Sequence, residues 1–257
     1  IFKKQYLLFF HGTDMQVSFR SRWKRFLAAN VAARAEGVVL NSESSRRRFL
    51  RLLPEMEKKT TVVYPCPGIR FVNSVPAADI EDLRIRFGLH GRPVLLSVGR
   101  LTDGKGFPRL LHALPDILKR VPTLVWLVVG DGSKREELIR QATALGVQSV
   151  VRFIGEVPHV ALPAYYQTAN AFALLTHPDE GREEGLGLVF LEAAAAGLPI
   201  VAGRSGGVEE IVQHMTTGLV VDAYQEKEVV EAIVTVLTNH TFAKQLGNNA
   251  KQFVQAN

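Results

Sequence analysis

The sequence has almost no cysteine and no long apolar run. Its single cysteine, Cys66, excludes an internal disulfide bond and favours a reducing compartment. We interpret Cys66, which lies between two prolines with no base nearby, as structural. No stretch approaches the roughly 18 apolar residues of a membrane-spanning helix, and no signal peptide precedes the first strand-like run. We therefore expect a cytoplasmic protein. Because the chain opens in that run without an initiating Met, we also expect it to be a fragment.

Positive charge is concentrated near the start of the chain. The net charge is +6; residues 1–60 hold 13 Lys or Arg against 5 Asp or Glu, and the remainder holds 18 against 20. Basic residues with interspersed aromatics in 20–51 can contact an anionic membrane peripherally, although a solvated basic surface is the simpler alternative. No helix-turn-helix, zinc or ribonucleoprotein motif accompanies this charge, so we expect no nucleic-acid partner.

Strand and helix signals alternate almost throughout, which predicts an α/β fold with parallel sheets covered on both faces. The predicted strands are 6–10, 37–41, 60–64, 94–98, 124–129, 150–154, 171–175, 200–202 and 219–221. The predicted helices are 22–35, 44–53, 107–120, 134–145, 161–167, 188–196, 208–214 and 227–237. Residues 69–78, which include Pro76, form the best candidate linker. We expect an incomplete unit at 1–76 and a complete doubly wound unit at 77–257.

The most informative motif places Glu184 and Glu192 eight positions apart, around a glycine-punctuated loop that leads into an alanine-rich helix. The backbone N–H groups that would face an anion there are those of Gly185, Leu186, Gly187 and Leu188. The two carboxylates would grip hydroxyl groups on either side of that anion. Alternatively, Glu184 complements the helix dipole and Glu192 is solvated. However, Glu192 lies in an otherwise apolar segment, where a carboxylate needs a specific partner.

Three glycine loops follow predicted strands, at the edge where parallel sheets bind ligands. The loop 99–106 contains Gly99, Arg100 and Lys105 and nearly matches the P-loop of nucleotide triphosphatases. Gly106 stands where that motif needs a hydroxyl for magnesium, which disfavours such an enzyme. The loop still attracts anions, unless its cations are simply exposed beside a turn.

The other two loops are weaker signals taken singly. Gly130 and Gly132 follow a buried strand, but Arg135 stands where the third glycine of the dinucleotide fingerprint belongs. The loop 203–210 combines flexible backbone with another predicted helix start. Three such loops on one sheet edge are more persuasive than any one of them.

Few other residues carry recognisable chemistry. His11 follows the first strand, where it is either a hydrogen-bonded structural group or a site residue. The remaining histidines show no metal-ligand spacing, and no Asp-x-Asp motif is present. We expect no metal and no cofactor. If a diphosphate leaves during the reaction, Arg100, Lys105 and helix N–H groups must therefore stabilise it in place of a metal.

These residues resemble a known family. Residues 184–193 look like the E-x7-E signature of retaining GT-B glycosyltransferases of family 4, with Leu186 in place of the commoner Phe. Segments at 98–106, 129–132, 153–155 and 206–212 fall in the order and spacing of that family. His11-Gly12 and residues 63–69 resemble parts of its acceptor domain.

The resemblance implies a GT-B fold of two Rossmann-like domains, the N-terminal one incomplete here and the final returning helix absent. It implies metal-independent transfer, with retention, from a UDP-, GDP- or ADP-linked sugar to a glycan or lipid-linked acceptor. Arg100 and Lys105 would hold the diphosphate, and Glu192 the ribose. Glu184 and the backbone after it would contact the sugar and phosphate, and His11 would face the sugar. Backbone near Ile154 would contact the base. The second hypothesis is a non-catalytic nucleotide-sugar-binding module, and the third is a nucleotide triphosphatase.

Overall fold

The computed structural model describes residues 5–11, 15, 18–179 and 183–256. Its first part, the smaller domain, comprises β1 (Leu7–Phe10), α1 (Arg22–Arg34), β2 (Gly37–Leu40), α2 (Glu43–Leu52) and β3 (Thr60–Val62). The three strands pair in parallel in the order β1-β2-β3. Phe10 and Phe49 pack in the core of this domain with ring centroids 5.5 Å apart. The carboxyl ends of β1 and β2 therefore lie side by side.

The larger domain is built on a six-stranded parallel sheet. Its strands are β4 (Val94–Val98), β5 (Val125–Val129), β6 (Val151–Gly155), β7 (Ala171–Leu174), β8 (Ile200–Gly203) and β9 (Leu219–Val221). Its helices are α3 (Ala77–Phe87), α4 (Phe107–Arg120), α5 (Arg135–Ala144), α6 (Leu162–Thr168), α7 (Leu188–Ala195), α8 (Glu226–Thr238) and α9 (His240–Ala256). The strand order β6-β5-β4-β7-β8-β9 reverses between β4 and β7. Open parallel sheets bind ligands at such a reversal, beyond the carboxyl ends of the strands.

Burial explains why these strands are apolar along their whole length. Every residue of β4, β5, β7, β8 and β9 is buried, as expected for a parallel sheet with both faces covered. Ser97 is the polar member of β4. Its hydroxyl donates to the carbonyl of Ala173 at 2.5 Å and accepts from the indole N–H of Trp126 at 2.9 Å. These bonds offset the cost of burying a hydroxyl.

The helix predicted at 208–214 is wrong. The structure has a short 3-10 turn at Val208–Glu210 instead. The hydroxyl of Thr217 accepts from the backbone N–H of Gln213 and donates to the carbonyl of Ile211. These side-chain bonds compete with the helical ladder and end it early. Conversely, α3 and α9 have no counterpart among the predicted helices.

The segment predicted as a linker is anchored to the larger domain. Phe71, within a short 3-10 turn, is 1% exposed and packs edge-on against Tyr166 with centroids 5.6 Å apart. The boundary at residues 76 and 77 stays a prediction. Among the helices of the described residues, none has the length and apolar character that crossing a bilayer requires.

Candidate functional site

A cavity of about 260 Å³ opens at the carboxyl edge of the larger sheet, where the strand order reverses. The loop after β4 and the loop after β7 form its walls, and the end of β1 reaches it from the smaller domain. Its lining residues are His11, Arg100, Thr102, Asp103, Gly104, Lys105, His177, Asp179, Glu183, Glu184 and Gly185. The structure thus brings together all four side chains predicted to be catalytic: His11, Arg100, Lys105 and Glu184.

A tight ion pair joins the two walls of the cavity. The ammonium of Lys105 lies 2.5 Å from Oε2 of Glu184, and the two side chains are only 23% and 17% exposed. Lys105 stands just before α4, whereas Glu184 stands before α7. The guanidinium of Arg100 makes no ion pair or hydrogen bond with the part of the chain that the structure describes. The cavity therefore offers a paired cation and a second cation that can bind an anion.

The loop after β8 fixes the backbone of Glu184. The hydroxyl of Ser205 accepts from the N–H of Glu184 at 3.1 Å, and the N–H of Gly207 donates to its carbonyl at 3.0 Å. Gly206 between them has φ +54°, and a Cβ there would lie 1.9 Å from the Glu184 carbonyl oxygen. The glycines that the sequence suggested for anion binding thus support the backbone of Glu184 directly.

The start of α7 has donors available for a ligand. The N–H groups of Leu186, Gly187 and Leu188 donate to no acceptor in the described residues, as is usual for the first turn of a helix. The Leu186 side chain is buried in the core. Only its backbone can therefore contact a ligand.

Other predicted donor-site residues lie outside the lining of this cavity: Gly99, Gly130, Gly132, Ile154, Leu186, Gly187, Leu188 and Glu192. Gly130 and Gly132 pack against the backbone of 99–101 instead. A Cβ on either would come within 2.5 Å of a carbonyl oxygen there. Their assignment to nucleotide binding stays a prediction.

Glu192 is a buried carboxylate, not a solvated one. It is 7% exposed, accepts from the hydroxyl of Tyr166 at 2.7 Å and lies 3.3 Å from Nε2 of His159. Burial raises the pKa of Glu192, while the hydrogen bonds from Tyr166 and His159 oppose that rise. Burial, aided by Glu192, raises the pKa of Tyr166 well above its usual value. The apolar surroundings correctly indicated that this glutamate needs partners.

Sequence reasoning missed several residues of the site. His177 and Asp179 line the cavity from the loop after β7, and Asp103 and Glu183 add two more carboxylates. The position of 176–183 after a predicted strand was the available signal. Within residues 5–11, 15, 18–179 and 183–256, no group of three or more His, Cys, Asp or Glu side chains could hold a metal ion.

The smaller domain contacts the loop before α7 through α2 and its N-cap residue, Ser42. The hydroxyl of Ser42 donates to the carbonyl of Gly185 at 2.7 Å, and Arg48 lies 3.7 Å from Glu183. These contacts join the smaller domain to Glu183 and Gly185, two residues that line the cavity.

Sequence comparison now places the chain among known proteins. The family described as Glycosyl transferases group 1 matches residues 79–253. The chain belongs to this family. It is 41% identical over 183 residues to the GDP-mannose-dependent alpha-(1-6)-phosphatidylinositol monomannoside mannosyltransferase of Mycobacterium tuberculosis, covering 70% of this chain and 47% of that protein. It is 39% identical over 184 residues to the protein of that name from Mycolicibacterium smegmatis, covering 70% and 48%. The chain spans about half the length of the curated relatives it matches.

Solved structures show the GT-B fold. Anabaena HepE in complex with UDP-glucose superimposes with a TM-score of 0.85 at 26% identity, covering 99% of this chain and 68% of that one. Sucrose-phosphate synthase from Thermosynechococcus elongatus has a TM-score of 0.78 at 26% identity, covering 98% and 63%. This group 1 chain therefore has the two-sheet GT-B architecture, with residues 79–253 in the larger domain.

Proposed function

We propose that this chain takes part in moving a sugar from a nucleoside diphosphate to a hydroxyl acceptor, with retention and without a metal. The observation that carries the proposal is the Lys105–Glu184 pair beside Arg100, at the reversal of the strand order. Cations and carboxylates in one cavity suit a ligand that has both phosphates and sugar hydroxyls.

The cations and the carboxylate of the cavity have different roles in the proposed reaction. When the bond between the sugar and the diphosphate breaks, negative charge grows on the leaving phosphate oxygen. Arg100 can bind two phosphate oxygens at once through its guanidinium. The ammonium of Lys105 has three protons, so it can keep its hydrogen bond to Glu184 and donate another to a phosphate. The Glu184 carboxylate then accepts hydrogen bonds from sugar hydroxyls, with His11 facing the sugar across the cleft.

We propose GDP-mannose as the donor. The relatives at 41% and 39% identity are named as GDP-mannose-dependent, and each matches 70% of this chain. A solved neighbour at 26% identity holds UDP-glucose, which makes UDP the competitor to test. Glu192 would accept from the ribose hydroxyls, and backbone near Ile154 would contact the base.

We propose a lipid-linked acceptor, reached at the cytoplasmic face of a membrane. Exposed apolar side chains occupy one side of α1 at helical spacing: Trp23, Phe26, Leu27 and Val31. The rings of Trp23 and Phe26 stack with centroids 6.0 Å apart. Basic residues flank this stripe, so the helix suits an anionic lipid surface.

The test is a transfer assay by mass spectrometry, with GDP-mannose and a phosphatidylinositol mannoside acceptor. We expect Lys105→Ala to weaken donor binding about 10- to 100-fold, the effect of losing a hydrogen bond to a charged group. Glu184→Gln should lower kcat with little change in nucleotide affinity. Lys119→Ala, an exposed cation on α4 paired with Asp116, is the matched control.

Full activity in both site variants would overturn the assignment of the site. Nucleotide binding without any transfer would instead favour a non-catalytic binding module. That alternative has weight because the chain spans about half of its relatives.

A further inference from the structure

The carboxylate of Glu210, in the larger domain, holds the first turn of a helix from the smaller one. Its Oε2 accepts from the backbone N–H of Glu43 at 2.8 Å, and its Oε1 accepts from that of Ser44 at 2.7 Å. The hydroxyl of Tyr64 donates a third bond to Oε2, also at 2.8 Å. One side chain thus binds both α2 and the segment after β3.

Electrostatics favours this contact. The first N–H groups of a helix have no partner within it and carry partial positive charge, so a carboxylate satisfies both needs at once. Hydrogen bonds to an ionised acceptor are stronger than neutral ones. Partial burial of the phenol and the adjacent Glu210 carboxylate raise the pKa of Tyr64 to about 12, so Tyr64 stays a donor at neutral pH.

This contact places Ser42 against the catalytic loop. Ser42 directly precedes Glu43 and is fully buried. Its hydroxyl caps α2 by accepting from the N–H of Ser45 and donates to the carbonyl of Gly185. Gly207 leaves no spare room here, because a Cβ on it would lie 2.2 Å from the Gly185 oxygen.

Hydrogen bonds from both domains therefore hold the backbone of Glu184 and Gly185. The larger domain binds the N–H and carbonyl of Glu184, through Ser205 and Gly207. The smaller domain binds the carbonyl of Gly185, through the hydroxyl of Ser42. Moving the smaller domain away would break the Ser42 bond and both bonds from α2 to Glu210 together.

We propose that Glu210 and Ser42 are positioning residues that make the orientation of Glu184 depend on closure of the two domains. The proposal rests on the proposed function for the role of Glu184. The oxygens of Glu210 and the hydroxyl of Ser42 are already bonded within the protein, so neither is expected to touch the donor. A donor bound while the domains are apart would meet a Glu184 held only by contacts within its own domain, without the bond from Ser42 to the Gly185 carbonyl. This coupling limits loss of the sugar to water.

Hydrogen exchange measured by mass spectrometry tests the contact without any assay of activity. We expect Glu210→Ala to speed exchange of the Glu43 and Ser44 amides about tenfold or more, since two charge-assisted bonds are lost. The Glu184 amide should also exchange faster. Glu209→Ala is the matched control, because Glu209 is half exposed and pairs only with Arg204 among the described residues.

Glu210→Gln keeps the shape of the side chain and guards against a folding defect in the alanine variant. Its single carbonyl can satisfy one of the two N–H groups, so exchange and kcat should lie between those of the parent and Glu210→Ala. In the transfer assay, Glu210→Ala and Ser42→Ala should lower kcat about tenfold, with KM for the donor within about twofold. Ser42→Thr, which retains the hydroxyl, should recover most of the kcat.

Unchanged exchange at Glu43 and Ser44 in Glu210→Ala would overturn the contact. Faster exchange there with an unchanged Glu184 amide and unchanged kcat would overturn the coupling. Failure of the proposed function looks different, because the parent chain would then neither bind GDP or UDP nor transfer a sugar. In that case exchange at the Glu184 amide decides the coupling alone.

Discussion

Glu192 shares its two oxygens between the Tyr166 hydroxyl and the His159 ring while remaining almost entirely out of solvent. Burial raises its pKa in the folded state. A group with a raised folded pKa contributes stability below its unfolded pKa, and that stability is lost as the pH rises through the folded pKa. The ionised Glu192 therefore weakens the fold near neutral pH. Keeping a carboxylate here makes sense if a ligand uses it.

Glu192→Gln should separate the effect of the Glu192 charge on stability from its role in binding a ligand. The amide carries no charge and can still accept from Tyr166, so we expect Tm at pH 7.5 to rise by about 2–4 °C, the shift for 1 kcal/mol in a chain of this size. The gain should shrink as the pH falls through the folded pKa of Glu192 and should be gone below the unfolded pKa, where the carboxyl is protonated in both states. The same variant should bind GDP about tenfold more weakly.

Differential scanning fluorimetry across pH and titration calorimetry make these measurements, with Glu136→Gln as an exposed control. A lower Tm at neutral pH would show that the ionised carboxylate of Glu192 stabilises the fold. Undiminished GDP affinity would remove Glu192 from the donor site.

Sequence alone indicated that Glu192 needs a partner but not which one. Its apolar neighbours on α7 made an unpaired carboxylate implausible. Tyr166 and His159 lie 26 and 33 positions away, in segments with no motif. Their approach follows from how α6 and the loop after β6 pack, which local patterns do not encode. Sequence did indicate that Lys105 and Glu184 lie close together, because each follows a strand of the same sheet and the carboxyl ends of parallel strands share one edge.

At the scale of the element, α1 carries a stripe with no partner in the described structure. Trp23 is 67% exposed and Phe26 59% exposed, with Arg22 and Arg25 beside them. Interfacial helices bind by burying apolar side chains among lipid head groups and by attracting anionic lipid. This surface is thus the part of the smaller domain best suited to a bilayer.

The double variant Trp23→Ser/Phe26→Ser should bind anionic vesicles about tenfold more weakly than the parent chain, because it loses both aromatic anchors. Sedimentation with phosphatidylglycerol-containing vesicles measures this. Ile85→Ser removes an equally exposed apolar side chain from α3 and should change nothing. Equal binding of the parent chain to neutral and anionic vesicles would count against the membrane proposal.

Elements with one clear determinant were predictable, and those with competing determinants were not. The strands Val94–Val98 and Leu219–Val221 match the predicted bounds, because continuous burial makes them wholly apolar. The helix Phe107–Arg120 also matches, despite Pro115 within it. The predicted helix at 208–214 failed because Thr217 binds its backbone from outside the segment.

At the scale of the whole molecule, the alternation of strands and helices was enough to predict two parallel sheets. It did not predict how the sheets meet. That arrangement depends on single contacts such as Glu210 with the first turn of α2, between residues more than 160 positions apart. A ligand that binds between the domains can therefore change their relative position by making or breaking such contacts.

Thermal stability of the whole chain can identify the donor base. A ligand that binds only the folded state adds RT ln(1 + [L]/Kd), about 2.7 kcal/mol at 100 times Kd. For a chain of this size that corresponds to a rise in Tm of about 5–10 °C. If GDP is the preferred nucleotide, it should give this rise at a concentration where UDP and ADP give a smaller one. The shift should fall to about half or less in Lys105→Ala, because the diphosphate loses one of its two cations, whereas Lys119→Ala should keep it. A larger rise with UDP would reassign the donor to a UDP-sugar and leave the diphosphate site intact. No rise with any of the three would overturn the site itself.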